Sequence, residues 1–399
     1  MQKPQYDVCI IGGSIAGNYL AYLLSSSNLN ILIIEEHTEI GLPFQCAGII
    51  SKKLTQLINV PREIILNRVK IAKLVGPSGR SIELSGEEEP YIVDRIALDK
   101  SFYEKSKAKS NVTYNLGEKF KNFRYIKKNT NTLVEIETSE GSYITKILVG
   151  CDGPLSPVGK QVGVRNKNIF GTQIRIKGNW DENTAFMYFD PRWKESFGWI
   201  VPEGNKTYRI GMGAGREISE NFKTYLGILN VEIKKKISQQ GGLIPIGKMN
   251  KCAFDNILLV GDSARQVKAT TGGGVVMLLS AAKLAARCIM RCFELNDFSK
   301  KVIKKNYEKP CKRSIGKQLT INYLIRLVLQ NLDKTDFDDL FSIIEDTKIG
   351  EIISLHGDMD FPLSLVLRLA RNSSFLKFIL RFLKKNPTLV VQLVKSLIF

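Results

Sequence analysis

The feature that most constrains this chain is a glycine turn set between a buried strand and a helix. DVCII at 7–11 is a short apolar run of the kind buried in parallel sheets, Gly12-Gly13-Ser14-Ile15-Ala16-Gly17 follows, and NYLAYLLSSS reads as a helix. A second apolar strand, ILIIEE, carries Glu35, about 20 residues beyond the turn. In this setting Gly12 permits the sharp turn and Gly17 lets the helix lie close on the strand. Free N–H groups and the positive dipole end of the helix then meet a pyrophosphate. Ser14 stands where GxGxxG has its middle glycine; its small hydroxyl lets phosphate approach and can donate to it. Glu35 suits a ribose 2′-OH and would repel a 2′-phosphate. A glycine turn that binds nothing is the competing reading.

A second strand–turn–helix lies far along the chain. Leu258-Leu259-Val260-Gly261-Asp262 puts a carboxylate at the end of a buried strand, and Thr270-Thr271-Gly272-Gly273-Gly274 opens the apolar helix from Val275. A carboxylate there can hold a ribose or ribityl hydroxyl, and a triple-glycine helix start can bring backbone N–H groups against a ring or phosphate. Two such turns suggest one long dinucleotide held from both ends, which is the habit of FAD rather than of NAD.

Composition narrows the rest. The 399 residues are 44% hydrophobic and 24% charged, as in folded globular proteins, and two or three domains are expected. The seven cysteines form no CxxC pair and the only histidines are His37 and His356, so no metal site and no serine–histidine hydrolase is expected. Cys288 and Cys292 share a helix face as packing residues, with pairing of one of them to Cys311 a lesser alternative. No apolar run is long enough to span a bilayer, and MQKPQYDVCIIGG does not read as a signal peptide, so a cytoplasmic protein is expected. The net charge of +19 is uneven: residues 361–399 hold seven cations and no acid, and 300–317 hold eight cations with Glu308 alone opposing them. In the tail, cations alternate with Phe, Leu, Ile and Val. That pattern favours peripheral contact with an anionic membrane surface, with no nucleic-acid partner; a helix packed on its own domain, lysines snorkelling at its edge, is the alternative.

The pattern along the chain predicts an α/β fold: a Rossmann-type FAD-binding domain interrupted by an antiparallel β-sheet substrate domain, followed by a C-terminal helical region. The boundaries expected are 1–68, 95–165 and 246–298 for the FAD domain, 69–94 and 166–245 for the substrate sheet, and 299–399 for the membrane-facing helices. Residues 85–90 (SGEEEP) read as a turn and 219–240 as one helix.

Several further segments, in order, resemble the FAD-dependent geranylgeranyl reductases (the archaeal digeranylgeranylglycerophospholipid reductase type) within the aromatic-hydroxylase-like flavoproteins: PFQCAG at 43–48, DRIALD at 94–99, GCDGPLS at 150–156, FGWIVP at 197–202, GDSARQVKATTGGG at 261–274 and GDMDFP at 357–362. With GGSIAG and Glu35 they span nearly the whole chain. The resemblance implies cofactor contacts from Gly12, Ser14, Ala16, Gly17, Glu35, Cys46, Ala47, Gly48, Arg95, Asp152, Gly153, Asp262, Gly273, Gly274 and Val275. It places Cys46 beside the isoalloxazine, as a candidate for proton delivery or ring packing. Phe197, Trp199, Val201 and Pro202 match a motif usually written YxWxFP that lines the isoprenoid pocket; Phe197 and Val201 depart from it, and Ala269 replaces a proline usual before TTGGG.

Read residue by residue, each also has a plainer role: a structural thiol for Cys46, core for Trp199, a turn cap for Asp152, a surface cation for Arg95. The implied activity is hydride transfer from reduced FAD to an isoprenoid C=C of a membrane lipid precursor. The electrons would come from an external donor, whether ferredoxin, quinol or NAD(P)H. Reduction of a prenylated quinone's tail, a flavin monooxygenase acting on an apolar substrate, and a flavin-binding membrane protein with little turnover are the competing functions.

Overall fold

The computed structural model describes residues 5–43, 45–86, 89–128, 131–346 and 349–398. Phe44 of the PFQCAG motif, Glu87 and Glu88 of the expected turn, and the ends of the chain lie outside them. Three sheets carry the fold. The first runs β17 (Ala253–Phe254), β18 (Ile257–Leu259), β11 (Ser142–Gly150), β1 (Gln5–Ile11), β2 (Ile31–Glu35), β8 (Val112–Leu116), with β10 (Asn131–Thr138) and β9 (Phe120–Lys128) hung antiparallel from β11. From β18 to β8 the strands are parallel. Parallel strands are covered on both faces, which is why β2 is buried at every position and β18 is wholly apolar.

The second sheet runs β16 (Ser238–Ile246), β12 (Lys167–Lys177), β15 (Thr207–Ala214), β14 (Gly198–Gly204), β13 (Thr184–Tyr188), β5 (Ile71–Val75), β6 (Ser81–Ser85). All neighbours are antiparallel except β13 and β5. A small third sheet, β3 (Ile49–Ile50), β7 (Tyr91–Val93), β4 (Ile65–Arg68), lies between the two in the chain.

Among the helices, α1 (Ile15–Leu24) packs against α3 (Arg95–Lys107) and α6 (Val275–Leu295). The short helices α2 (Leu54–Leu57) and α4 (Pro157–Gln161) fill turns, and α5 (Ile218–Ile228) lies on the second sheet. The single helix expected over 219–240 is corrected: it stops at Ile228 and the chain re-enters the sheet as β16. Asn230 adopts a left-handed conformation (φ 52°), and the N–H of Val231 reaches back to Leu226 O at 2.9 Å, the bond that closes a helix C-terminus.

The tail comprises α7 (Lys300–Ile303), α8 (Lys309–Cys311), α9 (Lys317–Leu329), α10 (Lys334–Asp346), α11 (Ile349–His356), α12 (Leu363–Leu369), α13 (Ser373–Lys385) and α14 (Pro387–Ile398). Two π-turns, Lys304–Glu308 and Lys312–Gly316, flank α8. Pro310 accounts for the slip, since it has no N–H to give and its ring crowds the carbonyl four residues back. A separate core of Leu327, Phe337, Phe341, Ile349, Phe378, Phe382 and Leu389 joins these helices to Ile82 on β6. Phe378 and Phe382 form the buried stripe of α13, while Leu376 and Leu380 on its other side are exposed among Lys377, Arg381 and Lys384. All seven cysteines are free thiols, so Cys311 pairs with neither Cys288 nor Cys292.

Candidate active site

Strands β2 and β8 lie on one side of β1, and β11 and β18 on the other, so the chain changes direction at the β1–β11 boundary. Ligands of open α/β sheets bind beyond the strand C-termini at such a switch point. A cleft of about 640 Å³ opens there, in the size range of small-molecule and cofactor sites. Gly12–Ala16, Glu35, Cys46, Arg95, Asp99, Asp152, Gly153, Asp262, Lys268 and Gly272–Val276 all line it.

The first glycine turn is built by close approach. A Cβ on Gly17 would stand 1.9 Å from Gly12 O, and Gly12 itself has φ +103°. Glu35 closes the turn, accepting from Gly13 N at 2.6 Å with one oxygen and from His37 N at 2.9 Å with the other. Neither α1 nor α6 has a side-chain cap at its start, and neither carries an acid in its first turn. Both leave free N–H groups and positive dipole ends toward the cleft.

A polar chain then crosses the cleft. Ser14 Oγ donates to Asp99 Oδ2 (3.1 Å), Arg95 Nη2 pairs with Asp99 Oδ1 (2.9 Å), and Arg95 Nη1 donates to Cys46 Sγ (3.4 Å). Burial works against the Arg95 proton, but Asp99 and Cys46 beside it outweigh burial and hold the guanidinium firmly charged. Its Nε is buried without a partner among the described residues. Asp99 was missed in the sequence reading; its spacing of one helical turn from Arg95 within DRIALD was the available signal.

The Cys46 loop hangs between two layers. Its sulfur also accepts from Gly48 N (3.3 Å), while Cys46 O accepts from Gln173 Nε2 (2.9 Å) and Gln240 Nε2 (3.2 Å) of the second sheet. Arg209 Nη1 donates to Ala47 O (2.9 Å), filling the space a Cβ on Gly48 would need. Gln173 is held in turn by Trp199 Nε1 (3.0 Å).

Asp152 and Asp262 lie in the turns that follow β11 and β18. Burial raises each carboxyl to about 6, hydrogen bonds opposing the rise at Asp152 and the Arg95 charge opposing it at Asp262. Asp152 is committed to a cap, accepting from Ser156 Oγ (2.6 Å) and Val158 N (2.8 Å). Gly153 beside it has φ +71° and nothing within 4 Å of a Cβ position.

Phe197, Trp199, Val201 and Pro202, expected at an isoprenoid pocket, are not among the residues lining this cofactor cleft. Strand alternation puts Trp199 and Val201 on one side of β14, where they pack in one cluster with Ala47 and Ile49, Trp199 remaining half-buried. Phe197 faces a small separate recess beside Thr270, Arg326 and Phe337, and Pro202 is buried. Among the described residues no group of His, Cys, Asp and Glu could hold a metal ion.

The cleft fits an extended dinucleotide: two uncapped helix starts face it, an unpartnered arginine nitrogen lies in its wall, and Glu35 stands at one glycine turn with Asp262 at the other. Fold and cleft define a Rossmann-type dinucleotide-binding protein carrying an inserted antiparallel sheet. Residues 10–47 match the family described as NAD(P)-binding Rossmann-like domain. The digeranylgeranylglycerophospholipid reductase 1 of Methanococcoides burtonii is 28% identical over 364 residues, covering 86% of this chain and 88% of its own. A solved geranylgeranyl bacteriochlorophyll reductase-like protein of Thermoplasma acidophilum superposes with a TM-score of 0.80 at 23% identity, covering 97% of this chain and 99% of that one. A solved halogenase, PltM, in complex with phloroglucinol and FAD, matches with a TM-score of 0.64 at 12% identity over 92% and 86% of the two chains. The likeness to geranylgeranyl reductases read from the motifs thus extends over most of the chain.

Proposed function

We propose that this chain is an FAD-dependent reductase that saturates C=C bonds in the geranylgeranyl chains of a membrane lipid precursor. The observation that carries the reading is the cleft itself, where both glycine turns meet and Cys46 is held at its wall by Arg95. Reduced FAD, when bound, supplies hydride to one alkene carbon. Gly12–Gly17 and Glu35 would hold the adenosine half; Asp262 and Gly273–Val275 would hold the ribityl and ring half, with Asp152 and Gly153 between. An isolated alkene offers no carbonyl to carry charge, so positioning and exclusion of water are the protein's main contribution. The second carbon takes a proton from Cys46 Sγ, and Arg95 and Gly48 N–H hold the negative charge the sulfur then acquires. Trp199 and Val201 act from behind: they pack with Ala47 and Ile49, and Trp199 holds the Gln173 that binds Cys46 O.

Segments 1–68, 95–165 and 246–298 form the FAD-binding unit, 69–94 and 166–245 the substrate sheet, and 299–399 the helical tail. The exposed apolar and basic sides of α13 and α14 rest on the anionic cytoplasmic face of a membrane, where the lipid substrate resides. No helix among the described residues is long and apolar enough to cross a bilayer. An external donor, ferredoxin, quinol or NAD(P)H, returns the cofactor to its reduced state.

The test is anaerobic incubation of dithionite-reduced protein with a digeranylgeranyl lipid, followed by lipid mass. Gains in steps of two hydrogens are expected. No gain without oxygen, with an added oxygen atom once air is admitted, would instead make it a monooxygenase. Gains confined to a prenylated quinone would move the substrate.

A further inference from the structure

A buried ion pair in the cleft wall has no part in the scheme above. Lys268 Nζ pairs with Asp360 Oδ1 at 2.7 Å, the two side chains being 6% and 3% exposed, and Lys268 also donates to Met359 O at 2.9 Å. The two residues lie about 90 positions apart, one beside the triple-glycine turn and one in the 357–361 segment between α11 and α12. A Cβ on Gly273 would stand 2.8 Å from Lys268 Cε and 3.1 Å from Nζ, so the ammonium lies directly against the turn. Asp360 Oδ2 is buried with no partner among the described residues. The segment is tied down on a second side: Asp358 accepts from the N–H groups of Asp360 (2.8 Å) and Phe361 (2.9 Å) and pairs with Lys53 at 2.6 Å.

Stability does not explain such a pair, because apolar residues of similar size commonly serve as well or better in a core. Its place does suggest a use. Lys268 adds a full positive charge where the uncapped start of α6 already presents its positive dipole end, and Asp360 sets one negative charge against it. Uptake of two electrons and one proton leaves a flavin ring one unit more negative than before. A charge beside the ring therefore weights the reduced form against the oxidised one.

We propose that Lys268 and Asp360 are positioning residues that set the reduction potential of the bound flavin, Lys268 favouring the reduced form and Asp360 restraining it. This rests on the FAD reading above. The counter-charge comes from the C-terminal region, so the segment at 357–361 sets the cofactor's electrostatics from outside the nucleotide-binding sheet.

The experiment uses the full chain in four forms: unmodified, Lys268→Met, Asp360→Asn and the charge-neutral double variant. Flavin content is read by absorbance and midpoint potential by equilibration with a reference dye under anaerobic conditions. Lys268→Met is expected to lower the ratio of reduced to oxidised flavin at a fixed potential by about tenfold, or about 30 mV for a two-electron couple. Asp360→Asn should shift it by a similar amount in the opposite direction, and the double variant should return close to the unmodified value. Should one single variant fail to fold, the opposed sign is judged from the other against the double variant. Flavin retained with unchanged potentials, or both single variants shifting the same way, overturns the proposal. An unmodified chain that binds no flavin overturns the cofactor reading beneath it, and the absorbance spectrum alone distinguishes that failure.

Discussion

Alanine at position 17 tests the construction of the nucleotide turn. In most helices Gly→Ala is stabilising by about 1 kcal/mol, because the glycine backbone has more freedom to lose. At Gly17 the added Cβ would lie 1.9 Å from Gly12 O and 3.1 Å from Gly12 C, both backbone atoms of the turn itself. Relief requires α1 to move off β1 by more than 1 Å, a strain at the upper end of the roughly 1–3 kcal/mol seen for overpacked sites. The propensity gain offsets about a third of it, leaving a net loss of about 2 kcal/mol. Gly227 on α5 supplies the control, since nothing lies within 4 Å of its Cβ position. There the same substitution should stabilise by up to about 1 kcal/mol. Denaturant unfolding followed by fluorescence reads both, and flavin retention after gel filtration should fall for Gly17→Ala alone. If Gly17→Ala is as stable as the unmodified chain and keeps its flavin, the close-approach argument is wrong.

Cys46→Ala should keep flavin yet lose lipid reduction by about 100-fold or more, the range of general acid catalysis, in the anaerobic assay; full turnover would remove Cys46 from proton delivery. Asp262 has a folded-state value of about 6 against an ordinary 3.8, so the folded chain binds that proton more tightly than the unfolded one. Its contribution to stability is therefore complete below pH 4 and is lost as pH rises through 6. Asp262→Asn should stabilise the flavin-free chain at pH 7 by on the order of 2–3 kcal/mol and flatten that stretch of the curve, measured by unfolding at pH 4 and 7. Replacing Lys377 and Lys384 together by Gln should weaken binding to anionic vesicles by about 1 kcal/mol per charge, seen by co-sedimentation, with flavin content unchanged.

What could be read in advance was local in the chain. Gly12, Gly17 and Glu35 are recognisable because turn, helix start and strand end follow one another within one βαβ unit. Gly273 stood out as part of a rare run of three. The sequence did not reveal which face of a strand is covered, or by what. Alternation puts Trp199 and Val201 on one side of β14, but only the fold shows Ala47 and Ile49 lying over that side. The bonds that matter most at the site, from Arg95 to Cys46, Gln173 to Cys46, and Lys268 to Asp360, join residues 49, 127 and 92 positions apart, and no periodicity encodes such partners. The end of α5 was a different omission: a single asparagine with positive φ stopped a pattern that otherwise continued.

The suspension of Cys46 has a mechanical consequence. Its carbonyl is tethered to Gln173 and Gln240 on one sheet while its sulfur is gripped by Arg95 from a helix packed on the other. Any change in the spacing of the two layers must stretch one of these tethers, so the position of the thiol is bound to that spacing.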